Sequence, residues 1–397
     1  MADLTVLHFT DLGEEYDRLA VLTDFVQRRK EQIAAVFFTG DFLEGNPQEG
    51  REVTANKMAQ KTMEYVATEE VRAAEKTLRQ FVQKHVRDGQ FNPDTLGEAE
   101  RKELEQLLAQ QQKLIMEEVN EHKLELKNDL MGIVEDSYKR LATEFHKFPC
   151  TVFATLGNHD FTLGYEQFDP MKVVFVDKAN EEGLADDEVP VIISRTGRQY
   201  IIKGDLNTWE VPPFYTNPAV KIALEDYFVN YSSGYSADFL SQAIETASDQ
   251  EEKKNLVHTG GDLREYQRKQ RSRLGSPAEI DIYLTHKLPH NDAGRTDIQG
   301  CVTGDITLEY SAQAKAVYGG HFHDGQVGKH SNLEKWLNEM ITKSTVKETV
   351  EGVEVPVIYL DPDEPWELNP GTQYFTITEF NEQKKVEAVT VYEFVCE

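Results

Sequence analysis

The chain has 397 residues, enough for two or three domains at about 150 residues each, or for one large α/β unit carrying insertions. Hydrophobic side chains make up 39% of it, which excludes a mostly disordered protein. The formal charge of -28 disfavours long nucleic acid and anionic lipid as partners, and three cysteines, Cys150, Cys301 and Cys396, are too few for a disulfide scaffold. No basic, apolar and small-residue leader pattern opens the chain. No apolar run approaches the roughly 18 residues of a span, so the expected compartment is the cytoplasm, with no membrane partner.

Residues 4–9 read as a buried strand that ends at Thr10-Asp11. A helix follows over 17–30, with Leu19, Val21, Leu22 and Phe25 on its apolar side. Residues 33–38 read as a second strand, ending at Gly40-Asp41. An acidic residue thus stands just past the end of each strand, where ligands of open α/β sheets collect.

The next hundred residues change character. From about 54 to 86, Ala67, Val71, Ala74, Leu78 and Phe81 alternate in steps of four and three, as in a helix-pairing seam. Residues 88–97 read as a turn. Helical text then runs from 98 to 145, about 70 Å if continuous, and a break is expected within it. Residues 51–150 carry 16 basic and 19 acidic side chains, a nearly balanced mixture suited to exposed i,i+4 pairs. We therefore expect 51–150 to be an inserted helical hairpin, and 1–50 with 151–397 to form the main domain. The hairpin could cover a site, or engage a second copy of the chain or another protein.

Strand text resumes at 149–154 and leads into Leu156-Gly157-Asn158-His159-Asp160. Further strands are expected at 172–176, at 280–284 before Thr285-His286, and at 314–318 before Gly319-Gly320-His321-Phe322-His323. Residues 189–194 and 200–203 read as a hairpin. Helices are expected over 219–228 and 237–252, and three tail strands near 355–360, 373–379 and 386–394.

Asp11, Asp41, Asn158, His286, His321 and His323 each lie at or after an expected strand end. Far apart in sequence, they can meet on one edge of a twisted sheet. Carboxylate, amide and imidazole donors without sulfur suit Mn, Fe or Zn ions, and disfavour a cysteine-rich structural zinc site. The ordinary reading of any one of them is blander. An isolated Asp after a strand is usually a turn or helix cap, and an isolated histidine is usually a hydrogen-bonded boundary residue. The ordered set, rather than any member, carries the argument.

Together these segments resemble the calcineurin-like metallophosphoesterases. Gly40-Asp41 matches that family's second box, Gly157-Asn158-His159-Asp160 its third, Thr285-His286 its fourth and Gly320-His321-Phe322-His323 its fifth, in the family order. The first box departs: it reads Asp11-Leu12-Gly13, with glycine where the family has histidine. Water, Glu14, Glu15, Asp17 or His8 are the candidates for the vacated place, with His8 better suited to a supporting role. The resemblance implies a four-layer αββα sandwich and two divalent metal ions. Asp11, Asp41 and His323 would hold the first ion, and Asp41, Asn158, His286 and His321 the second. Two ions about 3.5–4 Å apart lower the pKa of a shared water for in-line attack on phosphorus. By the same resemblance His159 serves the leaving oxygen, and Asp160 orients His159. The implied activity is hydrolysis of a small phosphorylated substrate, a phosphomonoester or phosphodiester. The competing function is a catalytically weakened metal-binding scaffold whose hairpin recruits a partner, and Gly13 is the residue that keeps it open. A nuclease would need a local cationic channel. The basic cluster Arg264, Arg268, Lys269, Arg271 and Arg273 reads first as a solvated face and second as an anion-guiding rim. Tyr215, Tyr227, Tyr231 and Tyr235 read chiefly as packing or loop residues.

Overall fold

The computed structural model describes residues 2–45, 48, 50–86, 90–157, 159–160, 168, 172–176, 190–204, 276, 280–288, 304–327, 346–350, 353–358 and 366–394. Asn158, the expected helices at 219–228 and 237–252, the basic cluster at 264–273 and the four tyrosines at 215–235 lie outside these residues. Two compact units divide the described chain. One takes the chain up to Glu44 and again from Glu135, and the other takes Gly45–Val134.

The first unit is mixed α/β. Strand β1 (Leu4–Phe9), helix α1 (Tyr16–Arg28) and strand β2 (Ala35–Phe38) form the opening βαβ segment. Strands β3 (Thr151–Ala154) and β4 (Val173–Phe175) continue it in parallel. An 8-stranded sheet is completed on the other side of β1 by the antiparallel strands β13 (Tyr374–Phe380), β14 (Val386–Glu393), β11 (Val353–Ile358) and β10 (Val346–Val350). A 6-stranded sheet has the order β5 (Val191–Ile193), β6 (Gln199–Gly204), β7 (Ile282–Lys287), β8 (Ala316–Gly320), β12 (Trp366–Asn369) and β9 (Gln326–Val327). Its centre, β6 to β12, is parallel.

Strand alternation explains the packing. Leu4 and Val6 of β1 join Ala35, Phe37 and Phe153 in one apolar cluster with Ile202, Ile282, Leu284, Ala316 and Tyr318 of the second sheet. Inner faces of the two sheets therefore share a core. The alternate residue Phe9 turns to the opposite face, where its ring lies 4.8 Å from Phe38 and 6.2 Å from Phe145. Phe145 ends helix α5 (Lys123–Phe145), whose Tyr138, Leu141 and Phe145 are fully buried. On the second sheet, Tyr283 and Val317 cluster with Tyr310 of helix α6 (Gly304–Ser311). Each fully buried aromatic side chain contributes about 1.5–3 kcal/mol to this unit.

Asp3 ties the two sheets together at one end. Its carboxylate accepts hydrogen bonds from Ser194 Oγ at 2.9 Å and Tyr200 Oη at 3.1 Å, and also from Thr196. Those donors hold Asp3 below its ordinary carboxylate range, outweighing the upward push of burial.

The second unit is helical. It contains α2 (Thr54–Val66), α3 (Glu69–His85), α4 (Glu98–Glu121) and the first half of α5. Thr68 caps α3, with Glu69 and Glu70 in its first turn and Lys84 and His85 in its last, charges that complement the helix dipole. Between α3 and α4, Pro93–Thr95 forms a 3-10 turn capped by Asn92. Glu100 reaches back to accept the Gly97 N–H at 2.9 Å, which starts α4. The long helical stretch breaks at His122, between α4 and α5. The division between units falls inside α5, and Tyr138, Leu141 and Phe145 beyond it are buried.

Candidate metal centre

Register delivers the site. Phe9 lies opposite Phe38, and Phe38 opposite Ala154, so the carboxyl ends of β1, β2 and β3 form one row. Asp11, Asp41 and Gly157 follow within a few residues. In the second sheet, Leu284 pairs with Tyr318 and Lys287 with Gly320, with an irregularity between Leu284 and Lys287. Thr285 and His286 occupy that irregularity. The strand therefore runs through His286 rather than ending before it, and the local bulge re-aims the imidazole.

One ligand atom each from Asp11, Asp41 and His286 lies within 4.8 Å of the others, and all three residues are buried. His286 Nε2 is 3.3 Å from Asp41 Oδ2. Its Nδ1 donates to the Thr39 carbonyl at 2.7 Å, so the neutral ring presents its lone pair on Nε2, toward the carboxylates. Asp41 Oδ1 accepts the His159 backbone N–H at 2.9 Å. The Asp11 carboxylate accepts the His321 backbone N–H at 3.1 and 3.0 Å. Each donor is thus oriented by a second partner, as metal ligands usually are.

The backbone is strained at the same residues. Asp11, Asp41 and His321 have φ of 48°, 58° and 73°, a left-handed conformation costly for residues with a Cβ. Close approach also dictates Gly157. A Cβ there would lie 2.1 Å from Asp41 Oδ1, so any side chain would push the carboxylate out of place.

Burial pushes the Asp11 carboxyl up to about 6, with Asp41 adding to the rise and His286 opposing it. Burial also pushes Asp41 upward, but the charges of His286 and His159 prevail and hold it well below the ordinary range. Burial alone would lower His286; Asp41 overrides it and raises the ring to about 9. His321 is driven down to about 3 by burial and by the charges of His286 and Lys287. A buried imidazolium on an aspartate, beside a second aspartate that resists ionisation, is an arrangement a divalent cation would relieve. Two carboxylate oxygens and one imidazole nitrogen fit such an ion.

The remaining expected residues distribute as follows. The His321 ring stands edge-on to His286, with centroids 5.3 Å apart. His323 is exposed, though its charge is felt at Asp11. Asn158 lies outside the described residues. Asp160, expected to orient His159, instead puts its two oxygens on the loop backbone. Oδ1 accepts the Leu43 N–H at 3.0 Å, and Oδ2 the Gly157 N–H at 2.9 Å. It clamps the segment after β2 to the one after β3, and burial together with Asp41 raises its pKa well above the usual value. His8 faces the inter-sheet core. Its Nε2 lies 2.9 Å from Thr39 Oγ1, and burial lowers its pKa to about 3. The Cys150 thiol is pushed up to about 11 by burial, which leaves it inert at neutral pH.

Two contributors escaped the sequence reading. Thr39 orients His286 through a backbone carbonyl, which no residue type advertises. Buried Asn369 donates from Nδ2 to the carbonyls of Gly320 at 2.7 Å and Phe322 at 3.1 Å, and its Oδ1 accepts the Gly371 N–H at 2.8 Å. Asn369-Pro370-Gly371 is a turn signal, and its asparagine steadies the loop that carries His321.

No family model matches this chain, and no curated protein matches it. One solved structure aligns over 100% of both chains at 11% identity with a TM-score of 0.37, too slight a likeness to carry an argument. The buried Asp11, Asp41 and His286 cluster is a candidate metal-binding site on its own geometry. Among the described residues, no helix is long and apolar enough to cross a membrane.

Proposed function

We propose that this chain is a metal-dependent phosphoester hydrolase of the calcineurin-like type, acting on a small phosphorylated substrate from a four-layer αββα body. The observation that carries the proposal is the convergence of Asp11, Asp41 and His286 within 4.8 Å, from three distant segments in the order the resemblance implies. A bound divalent cation at such a site supplies a Lewis acid for the phosphoryl oxygens and lowers the pKa of water.

The chain's own residues supply the rest. Asp41, beside His286 Nε2, would be the ligand shared by two ions that the resemblance implies. His321, edge-on to His286, would be a donor to the second ion that the resemblance implies. His159 is only part-buried, and by the resemblance it would give a proton to a leaving oxygen. Asp160 keeps the His159 loop in register with Asp41. Two divalent charges would exceed the two carboxylates of the site, so a phosphate is attracted despite the acidic exterior.

The test is turnover of an activated aryl phosphate and a bis-aryl phosphate by the purified chain across Mn²⁺, Fe²⁺ and Zn²⁺. Metal-dependent release of the phenol, lost in Asp41→Asn, is the expected result. A chain that neither binds these ions nor turns over either ester rejects the proposal.

A further inference from the structure

We infer that His8 is a positioning residue for His286, acting through Thr39 from inside the inter-sheet core. The inference rests on the metal-centre reading above and extends it one residue deeper, to a side chain outside the proposed ligand set.

Leu4, Val6 and His8 alternate along the inner face of β1. Leu4 and Val6 join the apolar core, and the His8 ring stands edge-on to Tyr318 of β8, with centroids 4.9 Å apart. His8 is fully buried there, and burial keeps the ring neutral, with a pKa of about 3. An imidazole in such a place costs free energy unless it is hydrogen-bonded. Its Nδ1 has no hydrogen-bond partner among the described residues. Its Nε2 lies 2.9 Å from Thr39 Oγ1, so this contact is what offsets the burial. Either ring tautomer can make it, because a hydroxyl both donates and accepts.

Thr39 is where the core meets the site. It follows the last residue of β2, precedes Gly40 and Asp41, and is fully buried. Its Oγ1 meets His8, while its carbonyl accepts from His286 Nδ1 at 2.7 Å. A β-branched side chain has few χ1 wells, and these are coupled to the backbone angles. Fixing Oγ1 from His8 therefore also limits the direction of the Thr39 carbonyl. The chain turns sharply at the next residue, where Gly40 has φ +99° and an added Cβ would lie 2.8 Å from His286 Nδ1. With so little room around that nitrogen, a rotation of the Thr39 peptide must move the His286 ring. Its Nε2, 3.3 Å from Asp41 Oδ2, moves with it.

The experiment takes two readouts from the full chain. One is the His286 Nδ1 proton of the metal-free protein, followed by nuclear magnetic resonance of the nitrogen-labelled imidazole. The other is Mn²⁺ affinity, from free Mn²⁺ by electron paramagnetic resonance. Wild type, His8→Leu, Thr39→Val, their double variant, His8→Gln, Thr378→Val and Asp41→Asn are compared, each checked for an intact metal-free melting transition. Leu and Val keep bulk and remove the polar atom, whereas Gln keeps a donor near the place of Nε2. Thr378→Val removes a buried hydroxyl from the same core and controls for packing. In His8→Leu and Thr39→Val the Nδ1 proton should exchange with water at least about tenfold faster. Mn²⁺ binding should weaken by about three- to tenfold, less than the roughly 10–100-fold of an outer partner that touches the ligand itself. The double variant should lose no more than either single one, since both remove the same contact. His8→Gln and Thr378→Val should stay within about twofold of wild type in both readouts. An unchanged Nδ1 proton in His8→Leu, losses that add in the double variant, or losses in His8→Gln or Thr378→Val equal to those of His8→Leu overturn the inference. If wild type binds no Mn²⁺, or Asp41→Asn binds it unchanged, the metal centre is refuted, and the Nδ1 proton still decides whether His8 positions His286.

Discussion

Loading Mn²⁺ into the metal-free protein should expel a proton from His286. Asp41 holds that ring as an imidazolium with a pKa of about 9, so at pH 7.5 nearly every site carries the proton. A metal needs the Nε2 lone pair that the proton occupies. Binding and deprotonation are therefore one event. His321, with a pKa near 3, is already neutral and releases nothing. Asp41, held well below the ordinary carboxylate range, is already ionised. Between pH 6.5 and 8.5 the apparent association constant should rise about tenfold per pH unit, or about 100-fold across the window. Below pH 6 the Asp11 proton, with a pKa of about 6, must also leave, and the slope steepens toward two. Isothermal titration in two buffers of different ionisation enthalpy counts the protons directly. Close to one proton per ion at pH 7.5 is expected. Binding that releases none, with an affinity flat between pH 6.5 and 8.5, would show that His286 is not the proton-bearing ligand described.

Asp41→Asn should remove far more hydrolytic activity than Gly13→His, because Asp41 touches His286 and the His159 backbone. Comparable, near-wild-type rates in a steady-state assay of both variants would contradict this. Asp160→Ala strands the buried N–H groups of Leu43 and Gly157, each worth about 1–3 kcal/mol when unpaired. Urea denaturation should show a loss of at least about 2 kcal/mol, and an unchanged midpoint would refute the clamp. Asp3→Ala should cost about 1–3 kcal/mol by removing the carboxylate that accepts from Ser194, Thr196 and Tyr200. In wild type the Asp3 contribution is present above the unfolded-state pKa and fades as pH falls through the lower folded value, so acid melts of wild type and variant should converge. Excising Gly45–Val134 with a short linker should leave the sheet unit folded by circular dichroism. Excision of 54–146 should unfold it, because Tyr138, Leu141 and Phe145 are core residues whose loss costs several kcal/mol each.

Alternation and strand-end chemistry made much of the first unit legible. β1, β2, β3, β13 and β14 fall within a few residues of the apolar runs that announced them, since half-buried strands must alternate or stay apolar. Short strands such as β9 and β12 carry no such run. Their place is set by the neighbours they hydrogen-bond, which local sequence does not encode. The seam at Val71 and Phe81 marked a buried helix face, but nothing in Asn120-Glu121-His122 marks where α4 stops, because the break lacks glycine or proline. In the cluster, Asp11, Asp41 and His286 were readable because each stands at or near the end of an apolar run. The role of Asp160 was not, since a carboxylate that serves backbone N–H groups looks the same in sequence as one that serves a ring nitrogen.

Anomalous diffraction from crystals grown with Mn²⁺ tests the account most directly. It should place a metal peak within bonding distance of Asp41 Oδ2, His286 Nε2 and an Asp11 oxygen. A density map with these three side chains clear and no anomalous signal among them would contradict the metal centre and the hydrolase built upon it.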